Sequence, residues 1–310
     1  MASAELVMTG APGDVVQHCL VALPQSLAEA QKIYTCVIQH GNERVKDWPL
    51  MNPLHVLALI GGYLALILLL RVLMSFRSSG FKLRWPMVLH NVFLFALSLY
   101  MAVEIMTQAM RNNYSWFGNA VDNSEAGHGM ARILYIYFLS KVPEFGDTVF
   151  MALKKNFHQI SFLHVYHHSS IFFVWWMVVF FAPGGESYFS AFLNSGIHVI
   201  MYAYYGWSAF LSATDYYAKR GGKPKRPTWK DPAFYRQFIT SSQLTQFFTM
   251  VGQAVYDMRN PTEGYPAFMP VMLFGYMMTM ISLFGNFFVK QYLGKKSKRA
   301  KAKAAKAKQA

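Results

Sequence analysis

Apolar residues along this chain come in long blocks separated by short polar stretches. That is neither the alternation of a half-buried strand nor the narrow stripe of a surface helix. A helix that crosses a membrane needs about 20 largely apolar residues. Seven segments reach that length, at roughly 54–74, 87–108, 131–152, 160–181, 187–212, 233–256 and 266–289. The first, second, fourth and seventh are clear, whereas the third and sixth carry more polar residues. The pattern predicts an all-α membrane protein with seven transmembrane helices within residues 51–290. A lumenal segment, 1–50, precedes them and a basic cytoplasmic tail, 291–310, follows.

Composition agrees: 54% of residues are hydrophobic and 14% charged, against about 25% charged in soluble domains. A net charge of +14 raises the question of nucleic acid, and its placement answers no. Nine basic residues fall between Lys290 and Lys308. Others cluster in loops: Arg71, Arg77, Lys82 and Arg84 after the first span, Lys154 and Lys155 after the third, and Lys219, Arg220, Lys223, Lys225, Arg226 and Lys230 after the fifth. Together these hold 21 of the 29 Lys and Arg. Such asymmetry places them in the cytoplasm and the N-terminus in the lumen, which requires an odd number of spans.

Smaller signals refine this. The first 20 residues lack Lys and Arg, so a signal peptide with a basic start is absent and the first span directs insertion. Asn113-Tyr114-Ser115 is a glycosylation acceptor in a lumenal loop. Lys306 and Lys308 resemble a dilysine signal of the endoplasmic reticulum membrane, though a basic tail also suits solvent or anionic lipid. Cys19 and Cys36 both precede the first span, and their spacing neither requires nor forbids a disulfide. No cysteine follows, so no thiol nucleophile lies in the membrane body.

Ionisable residues inside spans are expensive and usually functional. His164, His167 and His168 in the fourth span have the i, i+3, i+4 spacing of one helix face. In the fifth, Asn194, His198, Met201 and Tyr205 share a face, with Tyr202 beside them. By helical rise, His198 lies roughly 16 Å from the lumenal end and His167 roughly 12 Å from the cytoplasmic end, so the two approach near mid-membrane. Lys141, Glu144, Asp147 and Thr148 form a polar face of the third span, read equally as an ion-pair stripe or as support for the histidines. Gln243 and Gln246 offer amides to a cavity or to a neighbouring helix.

Two enzymatic readings compete. A membrane metal-dependent desaturase or hydroxylase also uses clustered histidines, but a di-iron centre needs around eight. This chain has ten, of which His18 and His40 are N-terminal and His55, His90, His128 and His158 are isolated. Four then remain for the interior, enough for a single metal by spacing and too few for two irons. The alternative is acyl transfer, in which a neutral imidazole in an apolar site attacks a thioester. A non-enzymatic seven-span receptor or transporter explains spans and charges but not three histidines facing a fourth.

The segments Lys141-x-x-Glu144-x-x-Asp147-Thr148, His164-Val-Tyr-His167-His168, Asn194-Ser195-x-x-His198-x-x-Met201-Tyr202-x-Tyr204-Tyr205 and Gln243-x-x-Gln246-Phe247 resemble those of the fatty-acid elongases, in order and spacing, over residues 50 to 290. The resemblance implies six helices in an inverted barrel around an acyl tunnel, and condensation of malonyl-CoA with a long-chain acyl-CoA to 3-ketoacyl-CoA, CO2 and CoA, without metal or cofactor. It implies His167 as acyl carrier, His198 as a positioning or activating group, and His164 and His168 as orienting groups. Asn194, Gln243 and Tyr202 are candidate donors to the enolate, and Lys154 and Lys155 candidate contacts for CoA phosphates. The His-Val-Tyr-His-His box resembles that of members extending 18- or 20-carbon polyunsaturated chains. Partners implied are membrane lipid and the ketoacyl reductase, dehydratase and enoyl reductase of the cycle; the apolar exterior also permits a homodimer.

Overall fold

The structure, a computed structural model, describes Cys19, residues 24–216, Lys219, Gly221, Gly222 and residues 234–293. Arg220, the other basic residues of the 223–230 stretch and the terminal lysines lie outside the described residues. Among the described residues there is no strand. A short helix, α1 (Leu27–Gln39), precedes seven long ones: α2 (Pro53–Ser75), α3 (Arg84–Arg111), α4 (His128–Leu153), α5 (Phe162–Phe181), α6 (Ser187–Ala213), α7 (Arg236–Arg259) and α8 (Phe268–Phe288). Each corresponds to one apolar segment of the sequence.

Local chemistry sets several starts. Ser26 Oγ accepts from the Glu29 amide at 3.2 Å, and the Glu29 carboxylate accepts from the Gln25 amide at 2.7 Å, closing the start of α1 reciprocally. Asn52 caps α2, with Pro53 where no helical N–H is needed. Ser161 caps α5 by accepting from the His164 amide at 3.3 Å, which fixes the helical phase of the histidines.

Three helices are long and apolar enough to cross a membrane by length and composition: α2, α3 and α8 with its π-helical extension to Tyr292. The fourth segment, expected to be clear, is not among them. Three histidines, two tryptophans and a tyrosine lower the hydropathy of α5, although most of its surface is packed inside the protein.

Neighbour contacts run from α3 to α4, α5, α8, α7, α6 and back to α3, while α2 packs outside on α4 and α5. The broadest pairing is the antiparallel one of α3 with α6, tied at one end by Arg84 and Asp215 (2.7 Å). Outside this cycle α2 buries only Val56, Tyr63 and Met74.

Residues 40–51 are packed onto the ends of α4 and α5. The Asn42 amide donates to Phe180 O (2.8 Å), Trp176 Nε1 to Met51 O (2.8 Å) and the Tyr135 hydroxyl to Pro49 O (2.9 Å), with Val45 and Met51 wholly buried. At that same end Cys19 and Cys36 form a disulfide. The turn into α6 passes through Gly185 at φ +56°, where a Cβ would sit 2.7 Å from Asn119 O. Only glycine meets both demands, and it seats Glu186 against the 112–127 loop.

Candidate active site

All six helices of the cycle and one outside it bring the polar residues together. On α4, Lys141 and Glu144 are 1% and 3% exposed and pair at 2.8 Å. His198 of α6 places Nδ1 3.3 Å from the same Glu144 oxygen, an ion-pair distance without hydrogen-bond alignment. Lys141 Nζ also lies over the Tyr137 ring at 4.1 Å. The third-span stripe and the fifth-span histidine are therefore one buried cluster.

One turn on, Asp147 holds two partners. Its Oδ1 meets His90 Nε2 at 3.1 Å, and its Oδ2 accepts from the Tyr202 hydroxyl at 3.1 Å. His90, an isolated residue in the sequence, thus joins the interior. Only the packing of α3 on α4 reveals it, helped by Gly146, where a Cβ would fall 2.8 Å from His90 Cε1.

The histidines of α5 divide. His164 Nε2 is hydrogen-bonded to Thr148 Oγ1 at 2.7 Å, and Thr148 to the Tyr63 hydroxyl of α2 at 2.9 Å. His168 is buried between His164, Tyr63 and Phe145, and its Nδ1 has no partner. His167 turns the other way, Nδ1 lying 3.4 Å from the Tyr276 hydroxyl of α8, which meets Ser170 Oγ at 3.1 Å. The expected single stripe splits because position i+3 lies about 60° to one side of i, and i+4 about 40° to the other.

His167 is the one of the three that lines a cavity inside the cycle of helices. Around His167 the wall carries Tyr276, Asn194, Tyr137 and Gln246, and further in it is largely Met, Leu, Trp and Phe. The Tyr137 hydroxyl donates to Asn194 Oδ1, so the Asn194 amide hydrogens stay free for a ligand. Gln246 Oε1 is buried without a partner. Tyr276 and Tyr137 had no motif to announce them.

Other expected residues stand apart from this wall. The Gln243 amide points to Met201 Sδ (3.8 Å) and Tyr202 to Asp147, so neither lines the cavity. Tyr205 is 43% exposed, against Tyr202 and Tyr204. Lys154 helps line a second pocket with Lys82 and Arg84, and burial lowers the pKa of its ammonium. Lys155 Nζ donates to Arg77 O at 2.5 Å. Among the described residues, the only His, Cys and carboxylate atoms that converge within metal-ligand distance are those of Cys19, Cys36 and His40, and the two sulfurs are already joined to each other.

Residues 48–300 match the ELO (GNS1/SUR4) family. The chain belongs to this family, the fatty-acid elongases. It is 40% identical over 248 residues to a fatty acid elongase 6 of Leishmania major, covering 78% of this chain and 61% of that protein's length, less than two thirds. It is 37% identical to very long chain fatty acid elongase 5 of Xenopus tropicalis, over 70% of this chain and 68% of the relative. The human protein of that name is 36% identical, over 88% of this chain and 86% of the relative. Every residue of the cluster and of the cavity wall in this elongase-family chain lies inside the matched stretch.

Proposed function

We propose that this protein condenses malonyl-CoA with a long-chain acyl-CoA, giving 3-ketoacyl-CoA, CO2 and CoA, with the acyl group carried on His167. The observation that carries the reading is the position of His167, alone of its trio, on a mostly apolar cavity beside the free Asn194 amide. With Nδ1–H donating toward Tyr276, the Nε2 lone pair attacks the thioester carbonyl. The C–N bond forms, the C–S bond breaks, and the imidazole proton leaves toward the departing CoA sulfur. Malonyl-CoA then loses CO2, its electron pair passing into an enolate. The enolate carbon attacks the acyl carbonyl, the C–N bond breaks, and the leaving imidazolate takes a proton from solvent, the one proton the net reaction consumes. Asn194 Nδ2 donates to the developing oxyanions, with the amide hydrogen of Gln246 that is not directed to Met250 Sδ beside it, while His198, Glu144 and Lys141 set the charge there.

In this reading α2–α8 all cross the membrane of the endoplasmic reticulum and six of them enclose the acyl chain. The basic loops face the cytoplasm, where Lys154 and Lys155 receive CoA phosphates. The Cys19–Cys36 disulfide supports a lumenal N-terminus, because disulfides persist in oxidising compartments. Asn113 is exposed at that end, open to a glycan. The cavity follows α5 from His167 to Val178, roughly 16 Å by helical rise. A stretched chain advances ~1.25 Å per bond, so that depth takes about a dozen carbons in line. An 18- or 20-carbon chain enters when folded by cis double bonds, which favours polyunsaturated substrates. The product then passes to the reductases and dehydratase that complete the cycle.

The test is purified protein in detergent with a polyunsaturated 18-carbon acyl-CoA and malonyl-CoA labelled at its free carboxylate. Acyl-dependent release of labelled CO2, together with an acyl mass on the His167 peptide, is the expected result. Release without any adduct in quenched samples would remove His167 as carrier, and no release across chain lengths would remove the condensation.

A further inference from the structure

The far end of the cavity is not sealed by apolar side chains, as the methyl end of a fatty acyl chain would favour. It carries Glu186, Ser187, Ser190, Gln253 and Tyr265. Glu186 is 1% exposed. Its Oε1 accepts from the Asn119 amide, and its backbone carbonyl accepts from Gln253 Nε2 at 2.9 Å. Ser190 Oγ donates to Gln253 Oε1 at 3.0 Å, and Ser187 Oγ and the Tyr265 hydroxyl share a hydrogen bond of 2.8 Å. These groups satisfy one another, with one exception. Glu186 Oε2 is buried with no donor aligned on it, although the Gly118 and Gln253 amides lie nearby. A buried acceptor left unpaired is costly and rare. This one lies at the other end of the cavity from His167, too distant for the condensation to use.

We propose that this end is a subsite for a hydrogen-bond-donating chain terminus, so that an ω-hydroxyacyl-CoA is a substrate. The inference rests on the acyl chain lying in the cavity with its thioester at His167. A chain of the right length then delivers its terminal hydroxyl to Glu186 Oε2, and a chain ending in methyl leaves that oxygen unpaired. The surrounding hydroxyls and the Gln253 amide donate to the oxygen of that hydroxyl or hold the carboxyl in place. Gly185 fixes the backbone from which Glu186 enters.

The experiment needs no altered protein at first. Condensation rates are compared for ω-hydroxy and ω-fluoro acyl-CoA thioesters, nearly equal in size but differing in the O–H donor, over a ladder of about 12 to 20 carbons. The expected result is a hydroxy-over-fluoro preference in kcat/KM of roughly tenfold, the scale of one hydrogen bond to a charged acceptor, confined to lengths that reach Glu186. Glu186→Gln keeps an acceptor for the Asn119 amide and turns an N–H toward the cavity, so the preference falls toward unity. A ratio near unity at every length, with both series elongated, overturns the subsite and leaves the condensation standing. Retention of the full preference by Glu186→Gln overturns the subsite as well. Failure of both series, and of unsubstituted acyl-CoA with them, overturns the condensation and the subsite together.

Discussion

Removing the Lys141 ammonium tests whether the buried cluster is one electrostatic unit. Lys141→Met keeps the length of the side chain and leaves the Glu144 carboxyl buried without its 2.8 Å partner. At 1% and 3% exposure water does not screen the pair, and breaking such a pair costs about 3–5 kcal/mol. His198, 3.3 Å from the same oxygen, offers a replacement for the lost charge. The expected loss is therefore at the lower end, about 3 kcal/mol. Removing both charges, Lys141→Met with Glu144→Leu, restores stability to within about 1 kcal/mol of the wild type, since no orphan charge remains. Unfolding of the detergent-solubilised protein, followed by tryptophan fluorescence in a denaturant series, measures both. A single variant losing less than about 1 kcal/mol, or a double variant whose loss is the sum of the two singles, refutes the reasoning.

Three further outcomes follow from the geometry. His90→Ala and Asp147→Ala each lower kcat by about 10- to 100-fold, as losses of supporting partners do, and the double variant is no worse than Asp147→Ala, because both act through one hydrogen bond. Steady-state CO2 release reads all three. Gly185→Ala destabilises by about 1–3 kcal/mol through its positive φ and the contact with Asn119 O, seen as a lower unfolding midpoint. Reducing the Cys19–Cys36 bond, which closes a loop of 17 residues' separation, lowers stability by about 3 kcal/mol. Limited proteolysis with and without reductant then cuts ahead of α2 sooner in the reduced protein.

Seven long helices are legible in the chain alone, because blocks of about 20 apolar residues have few other solutions. The residue types that carry the chemistry are legible too, since His164, His167, His168, His198, Lys141 and Glu144 stand out against an apolar background. Which of them act together depends on packing. Helical spacing tells which residues lie within a turn of one another, not which of two neighbouring faces meets a cavity. So His167 separated from His164 and His168 by a rotation that the pattern could not resolve. His90 acquired a role through Asp147 on another helix, 57 positions away. Of the two amides read as facing a cavity or a neighbouring helix, Gln243 turned to Met201 on the next helix and Gln246 to the wall, beside Tyr137 and Tyr276. The acceptor at Glu186 was invisible along the chain for the same reason. Burial and unpaired valence are properties of packed neighbours, and no local pattern encodes which neighbours those will be.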